Sequence, residues 1–209
     1  MNNQKTYPDT IWGVRNIAGT PEELLSELEK KELYRPVLRQ MKLEKRKMEW
    51  LSVRLLLKEL LGEEKEVEYD NAGKPFLKDR SFHIGISHTA GYVAVILNPN
   101  RPVGIDIEQV AEQVVRLRKR FLSEKEQRHI SKEKELIHLL LHWSAKETMF
   151  KALGEEEVIF KEQLHINPFD PQIGILSTFS SFESRTGRKT EFLIRYVVNP
   201  EYVLTFTEL

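Results

Sequence analysis

The chain has 209 residues, and its 32 Lys and Arg cancel its 32 Asp and Glu, which leaves no bulk field for nucleic acid or an anionic membrane. With 40% hydrophobic and 31% charged residues it reads as a soluble globular protein, one large domain or two of about 100 residues. No cysteine occurs, which excludes disulfides, thiolate zinc sites and cysteine nucleophiles and fits a reducing compartment.

The N-terminal segment MNNQKTYPDT has no apolar h-region, so no secretory signal is visible. The longest apolar run, Tyr92 to Leu97, falls far short of the roughly 20 residues a membrane span needs. A soluble cytoplasmic protein is expected. Thr20-Pro21-Glu22-Glu23 predicts a helix start, with Thr20 as N-cap and Glu23 closing a capping box. A longer helix is predicted from about Lys42 to Leu61, with Leu51, Leu55 and Leu56 at helical spacing and Gly62 as its stop. Asp70 to Pro75 reads as a turn. In Ser81 to Ser87, Phe82, Ile84 and Ile86 alternate with His83, Gly85 and Ser87, as on a strand. A turn over His88 to Gly91 then leads into Tyr92 to Leu97, an antiparallel hairpin. Asn98 to Pro102 is the best linker, and a short strand, Val103 to Glu108, follows. Ser123-Glu124-Lys125-Glu126 is a second capping box. A long helix is predicted over Glu133 to Leu153, stopped by Gly154. The tail reads as strands over Gly174 to Phe179, Glu191 to Val198 and Tyr202 to Thr207, so the fold class is α+β.

Several groups of residues could carry chemistry. On the strand Val103 to Glu108, Val103, Ile105 and Ile107 face the core, and Asp106 and Glu108 share the other face, about 6.5–7 Å apart at Cα. Two such carboxylates repel unless a cation sits between them, and Mg²⁺ with substrate phosphate oxygens fits. The alternative is a strand whose acidic residues simply face water. On the following long helix, Trp143, Glu147 and Lys151 form one stripe at i, i+4, i+8. Glu147 could bind a metal or act as base while Lys151 holds a phosphate; the alternative is a surface pair worth a few tenths of a kcal/mol. Ser87-His88 lacks the G-x-S-x-G of a nucleophile elbow, because Thr89 stands at the last position. A phosphate contact at a hairpin tip suits these residues better. Between Arg39 and Lys58 seven Lys and Arg, among them Lys45, Arg46 and Arg54, face two Glu, a local excess suited to a polyphosphate or to a solvated helix face. Arg116, Arg118, Lys119 and Arg120 form a second basic run. His138 and His142 are spaced i,i+4 without the Glu of a zincin, and no Gly-rich nucleotide loop is present.

Taken in order, Gly73-Lys74-Pro75, Ile86-Ser87-His88, Gly104-Ile105-Asp106-Ile107-Glu108 and Trp143-Ser144-Ala145-Lys146-Glu147…Lys151 resemble the motifs of the 4′-phosphopantetheinyl transferases. The length and the Gly-Ile-Asp-Ile-Glu form are similar to the Sfp type. The resemblance covers roughly residues 40–155. It departs from the family at Thr148, where Ser or Ala is usual, and at Gly85, where Asn is frequent. It implies two similar α+β halves related by a pseudo-twofold, residues 1–102 and 103–209, acting as a monomer with coenzyme A and Mg²⁺ in the cleft between them. It implies transfer of 4′-phosphopantetheine from coenzyme A to a serine of an apo acyl, aryl or peptidyl carrier protein, releasing 3′,5′-ADP. Under it Asp106, Glu108 and Glu147 hold the metal, and Glu147, directly or through water, accepts the serine proton. Lys151 holds the transferred phosphate with help from Lys146, and His88 donates to the pyrophosphate. Lys45 or Arg46 with Arg54 binds the 3′-phosphate, and Lys74 and Ser87 complete the grip. The Arg116 to Arg120 run suits an acidic carrier. The alternatives are another Mg²⁺-dependent phosphotransferase or a non-catalytic coenzyme A-binding module.

Overall fold

The computed structural model describes residues 5–7, 9–154, 157–187 and 189–209. They form two compact units, 1–100 and 101–209, each built on its own antiparallel sheet and one long helix. The mixed α+β class expected from the sequence is the class observed.

The first unit contains β1 (Lys5–Tyr7), β2 (Thr10–Asn16), α1 (Pro21–Ser26), α2 (Lys31–Gln40), α3 (Glu44–Leu61), β3 (Val67–Tyr69), β4 (Pro75–Leu77), β5 (His83–Thr89) and β6 (Tyr92–Asn98). Its sheet has the order β1-β2-β6-β5, and β3 and β4 form a separate hairpin. Thr20 caps α1 as its spacing predicts: Thr20 Oγ1 accepts from the Glu23 amide at 3.3 Å, and Glu23 Oε2 accepts from the Thr20 amide at 2.8 Å. Helix α3 is apolar on two sides because it is packed on both. Val53, Leu56 and Leu57 meet the sheet at Ile84, Val93, Val95 and Leu97. Leu51 and Leu55 meet Leu24, Leu28, Tyr34 and Leu38 of the α1–α2 layer. Each such leucine is worth about 1.5–3 kcal/mol relative to exposure. Gly62 ends the helix at φ 74°, a left-handed conformation that other residues adopt only at a cost.

The second unit contains β7 (Val103–Gln109), α4 (Gln113–Phe121), α5 (Glu124–His129), α6 (Glu135–Leu153), α7 (Phe160–Gln163), β8 (Leu164–Ile166), β9 (Ser177–Glu183), β10 (Glu191–Val198) and β11 (Tyr202–Glu208). Its sheet has the order β7-β11-β10-β9-β8. Leu139, Leu140, Ala145, Met149 and Ala152 of α6 pack into a core with Ile194, Tyr196 and Val203 of the sheet. The Ser123 capping box forms at the start of α5. The strand predicted at Gly174 begins later, at Ser177, and continues to Glu183, with Phe179, Ser181 and Glu183 turned inward. Among the described residues no helix is long and apolar enough to cross a membrane.

Two expectations change. Residue 88 does not open a turn: β5 runs through Thr89, so Ser87 and His88 point to opposite faces of one strand. The face of β7 that carries Asp106 is not turned to water either. Asp106 is only 4% exposed, because α6 lies on that face.

Candidate active site

The position of α6 depends on Gly104. A Cβ there would overlap the Thr148 carbonyl oxygen and stand 3.0 Å from the Ala152 amide nitrogen, both backbone atoms of α6. Only glycine lets helix and strand approach this closely. Hydroxyls then join the two layers. Thr205 Oγ1 of β11 lies 2.8 Å from Ser144 Oγ and 2.7 Å from Thr148 Oγ1, and Ser144 Oγ donates to the Asp106 carbonyl at 3.3 Å. Thr148 also donates to the Thr205 carbonyl at 3.1 Å, so the departure from Ser or Ala at this position is filled by a bonded hydroxyl.

This docking brings the helix stripe onto the acidic strand. Lys151 Nζ donates to Asp106 Oδ1 at 2.7 Å and to the Ile105 carbonyl at 3.2 Å. Trp143 Nε1 donates to Glu108 Oε1 at 2.7 Å, with its indole packed edge-on against Phe121. Burial first, and then the neighbouring Asp106 charge, push the Glu108 carboxyl up to about 7. The same two causes, in the same order, raise Glu147, and Lys151 opposes them. Among the described residues no three ligating side chains converge as a ready metal site; Glu108 is turned to Trp143 and Asp106 to Lys151. The donor set still fits a hard divalent cation. It is made of three carboxylates whose mutual repulsion such an ion would relieve.

Lys146 is adjacent to Glu147 but lies on another side of the helix. It is fully buried, and its three N–H bonds go to the Phe121 carbonyl at 2.7 Å, Glu126 Oε2 at 2.9 Å and the Phe160 carbonyl at 3.1 Å. No donor is left for a phosphate. Glu126 is likewise filled by Lys146, Ser123 and the Ile166 amide, so the pair ties α6 to α4, α5, α7 and β8. Helical spacing already sets Lys146 off the Trp143–Glu147–Lys151 stripe, and the structure shows what it meets instead.

The first unit holds a groove of about 340 Å³, floored by Trp50, Val53 and Ile86 and edged by Arg46, Glu49, Arg54 and His88, with Tyr69 at its rim. Arg54 is 3% exposed, its guanidinium 3.5 Å from the centre of the Trp50 ring and bonded to the Trp50 carbonyl at 3.2 Å. Burial holds its pKa below the ordinary value, and the Tyr69 hydroxyl is its hydrogen-bond partner. Among the described residues no carboxylate pairs with it, so an anion in the groove would supply the missing counter-charge. Arg46 Nη1 donates to His88 Nε2 at 3.1 Å.

Of the residues expected to grip coenzyme A, Arg46, Arg54 and His88 meet at this groove. Lys45 is near it through Glu49, at 3.8 Å. Ser87 is buried on the opposite face of β5, and Lys74 is exposed in the β3–β4 turn, where its amide donates to Asp70 Oδ1 at 2.8 Å. Neither lines the groove. Trp50, Tyr69 and Glu49 escaped sequence reasoning; the available signal was the helical spacing of Arg46, Glu49, Trp50, Val53 and Arg54 along one face. His138 and His142 pack on each other and on Phe169 with ring centroids 4.6–5.5 Å apart, and His138 Nδ1 accepts from the Ser131 amide at 3.0 Å.

Comparison with known proteins places the chain in a family. The family model described as the 4′-phosphopantetheinyl transferase superfamily matches residues 102–207, half of the chain and nearly all of its second unit. The chain is 30% identical over 125 residues to an L-aminoadipate-semialdehyde dehydrogenase-phosphopantetheinyl transferase of Xenopus laevis, a match covering 48% of this chain and 41% of that protein. It is 33% identical over 86 residues to the 4′-phosphopantetheinyl transferase gsp of Aneurinibacillus migulanus, covering 40% of this chain and 35% of that one. The chain thus spans less than half the length of either relative. With the family model laid over the strand and helix that carry Asp106, Glu108, Glu147 and Lys151, the chain belongs to the 4′-phosphopantetheinyl transferase superfamily.

Proposed function

We propose that this chain transfers 4′-phosphopantetheine from coenzyme A to a serine of an apo acyl or peptidyl carrier protein and releases 3′,5′-ADP. The observation that carries the reading is the gathering of Asp106, Glu108, Glu147 and Lys151 where α6 rests on β7. Asp106, Glu108 and Glu147 are the residues that would hold Mg²⁺, which when bound neutralises charge developing on a pyrophosphate. The serine oxygen attacks the phosphorus that carries pantetheine, and the bond from that phosphorus to the bridging oxygen breaks. Glu147, whose pKa burial and the Asp106 charge raise, accepts the serine proton directly or through a water. Lys151 holds the transferred phosphate with a charge-assisted hydrogen bond. His88 donates to the pyrophosphate. Arg54 and Arg46, with Lys45, take the 3′-phosphate, and the apolar floor of the groove suits the adenine. The exposed Arg116, Lys119 and Arg120 of α4 suit an acidic carrier surface. The chain acts as a cytoplasmic monomer in this reading, a setting that suits a protein without cysteine.

The test is incubation with coenzyme A, Mg²⁺ and a panel of apo carrier proteins, followed by intact-mass spectrometry. One phosphopantetheine per carrier serine is expected. A panel that a control transferase modifies and this protein does not would refute the assignment. Coenzyme A binding without transfer would then point to a non-catalytic binding module.

A further inference from the structure

We propose that Glu49 is a positioning residue for coenzyme A: a buried carboxylate that gathers Lys45, Arg46 and His88 into one phosphate-binding cluster. The inference rests on the reading of the groove as the coenzyme A site. On α3, Lys45 stands at i,i+4 and Arg46 at i,i+3 from Glu49. Their cationic groups lie 3.8 Å and 3.2 Å from its carboxylate oxygens. His88 arrives from β5, with Nδ1 4.0 Å from Glu49 Oε1.

The layering decides how this cluster acts. Glu49 is 7% exposed, whereas Lys45, Arg46 and His88 are 74%, 60% and 42% exposed. The carboxylate therefore lies beneath these three side chains, and an incoming anion meets Lys45 and Arg46 first. Arg46 can only donate, so His88 Nε2 is the acceptor of their 3.1 Å bond while no phosphate is bound, and Nδ1 is the nitrogen facing Glu49. One carboxylate thus stands behind both members of the Arg46–His88 pair. Without it, Lys45 and Arg46 repel each other and regain the rotamer freedom of long side chains. With it, they are already placed, and a bound phosphate has less ordering to impose. Arg46 keeps donors to spare for a ligand while one stays on Glu49.

Removing the Glu49 charge has two opposite effects. It makes the groove more positive, which favours any anion, and it disperses the donors, which disfavours a phosphate held by several of them. Dispersal prevails, because the buried Glu49 carboxylate lies deeper than Lys45 and Arg46, which an incoming anion contacts directly.

Calorimetric titration of the full chain with coenzyme A and with dephospho-coenzyme A separates the two effects. The unaltered protein is expected to prefer coenzyme A about tenfold or more. Glu49→Gln, which keeps side-chain size, is expected to lose at least about fivefold of that preference, with its affinity for dephospho-coenzyme A within about twofold of the unaltered protein. Glu49→Asp, which restores the charge, is expected to recover half or more of the loss. A general loss of stability would weaken both ligands together and leave the ratio unchanged. An unchanged or larger ratio in Glu49→Gln, while Arg54→Gln still weakens coenzyme A, would overturn the role of Glu49 alone. Failure of the unaltered protein to bind coenzyme A would overturn the coenzyme A reading and this inference with it.

Discussion

Replacing Gly104 with Ala should move the helix that carries half of the candidate site. The added methyl would overlap the Thr148 carbonyl oxygen and lie 3.0 Å from the Ala152 nitrogen. Both are backbone atoms, so no rotamer change relieves the clash, and α6 must retreat by at least about 1 Å to relieve it. Overpacking of this kind costs about 1–3 kcal/mol. The same retreat lengthens the hydroxyl contacts of Thr205 with Ser144 and Thr148, and each hydrogen bond is worth about 1 kcal/mol. The total is about 3–5 kcal/mol, or a fall in Tm on the order of 10 °C for a chain of this size. Activity should fall further than stability. A shift of about 1 Å separates Lys151 from Asp106 and Trp143 from Glu108, and misplacement on that scale costs about 100-fold in rate. The assays are thermal unfolding and transfer to an apo carrier protein at a temperature where the variant is folded. A variant with unchanged Tm and unchanged transfer rate would refute the claim that Gly104 sets the approach of α6 to β7.

The carboxylates should respond to pH with the opposite sign to the buried histidines. The Glu108 pKa is raised to about 7, so its stabilising protonated form is present at low pH and is lost as pH rises from the ordinary carboxylate range through about 7. Glu108→Gln should therefore stabilise the metal-free protein at about pH 8 by roughly 1–2 kcal/mol, after allowance for its partial exposure, and weaken stabilisation by Mg²⁺; melting in a chelator at about pH 5 and 8 checks this, and an equal difference at both values would refute it. Burial lowers His138 to about 4 and His142 to about 3, so each contributes stability that is present above about pH 6.5 and is lost as pH falls toward those values. Each histidine should contribute a slope of up to about 1.4 kcal/mol per pH unit, and in denaturant titrations at about pH 5 and 7 His142→Gln should remove one such contribution; an unchanged slope would mean that His142 is not buried neutral.

Much of the local structure was legible because single residues carry it. Thr20 and Ser123 cap their helices through their own hydroxyls, and Gly62 and Gly154 stop α3 and α6 with left-handed backbones. These signals need no distant partner. Elements that depend on distant partners were less visible. β2 reads Thr-Ile-Trp-Gly-Val-Arg-Asn, with a glycine and an arginine interrupting its apolar residues; its place in the sheet comes from pairing with β6 and from α3 packing on it. The helix α2, over Lys31–Gln40, contains Pro36 and buries only Tyr34 and Leu38. The hairpin strand β5 was seen, but its end was misjudged. Continued pairing of His88 with Val93 and Thr89 with Tyr92 carries the strand past the small polar residues that resemble a turn.

The acidic strand shows why the site was only half legible. Alternation correctly separates Asp106 and Glu108 from Val103, Ile105 and Ile107, but alternation alone cannot say which face meets water. Acidic residues suggested the outer face, yet α6 covers it. What permits the covering is Gly104, on the same face as Asp106, together with the hydroxyls of Ser144, Thr148 and Thr205, which replace the water that polar groups would otherwise seek. The Lys146–Glu126 pair, wholly buried and wholly bonded, contributes to the same end by holding α6 from its opposite side. A helix fixed on both sides can keep three carboxylates in one place against their repulsion, and burial together with that repulsion raises Glu108 and Glu147. The strain of gathering like charges and the capacity to take up a cation are then one property. It follows from backbone proximity between two segments some forty residues apart, which no local spacing records.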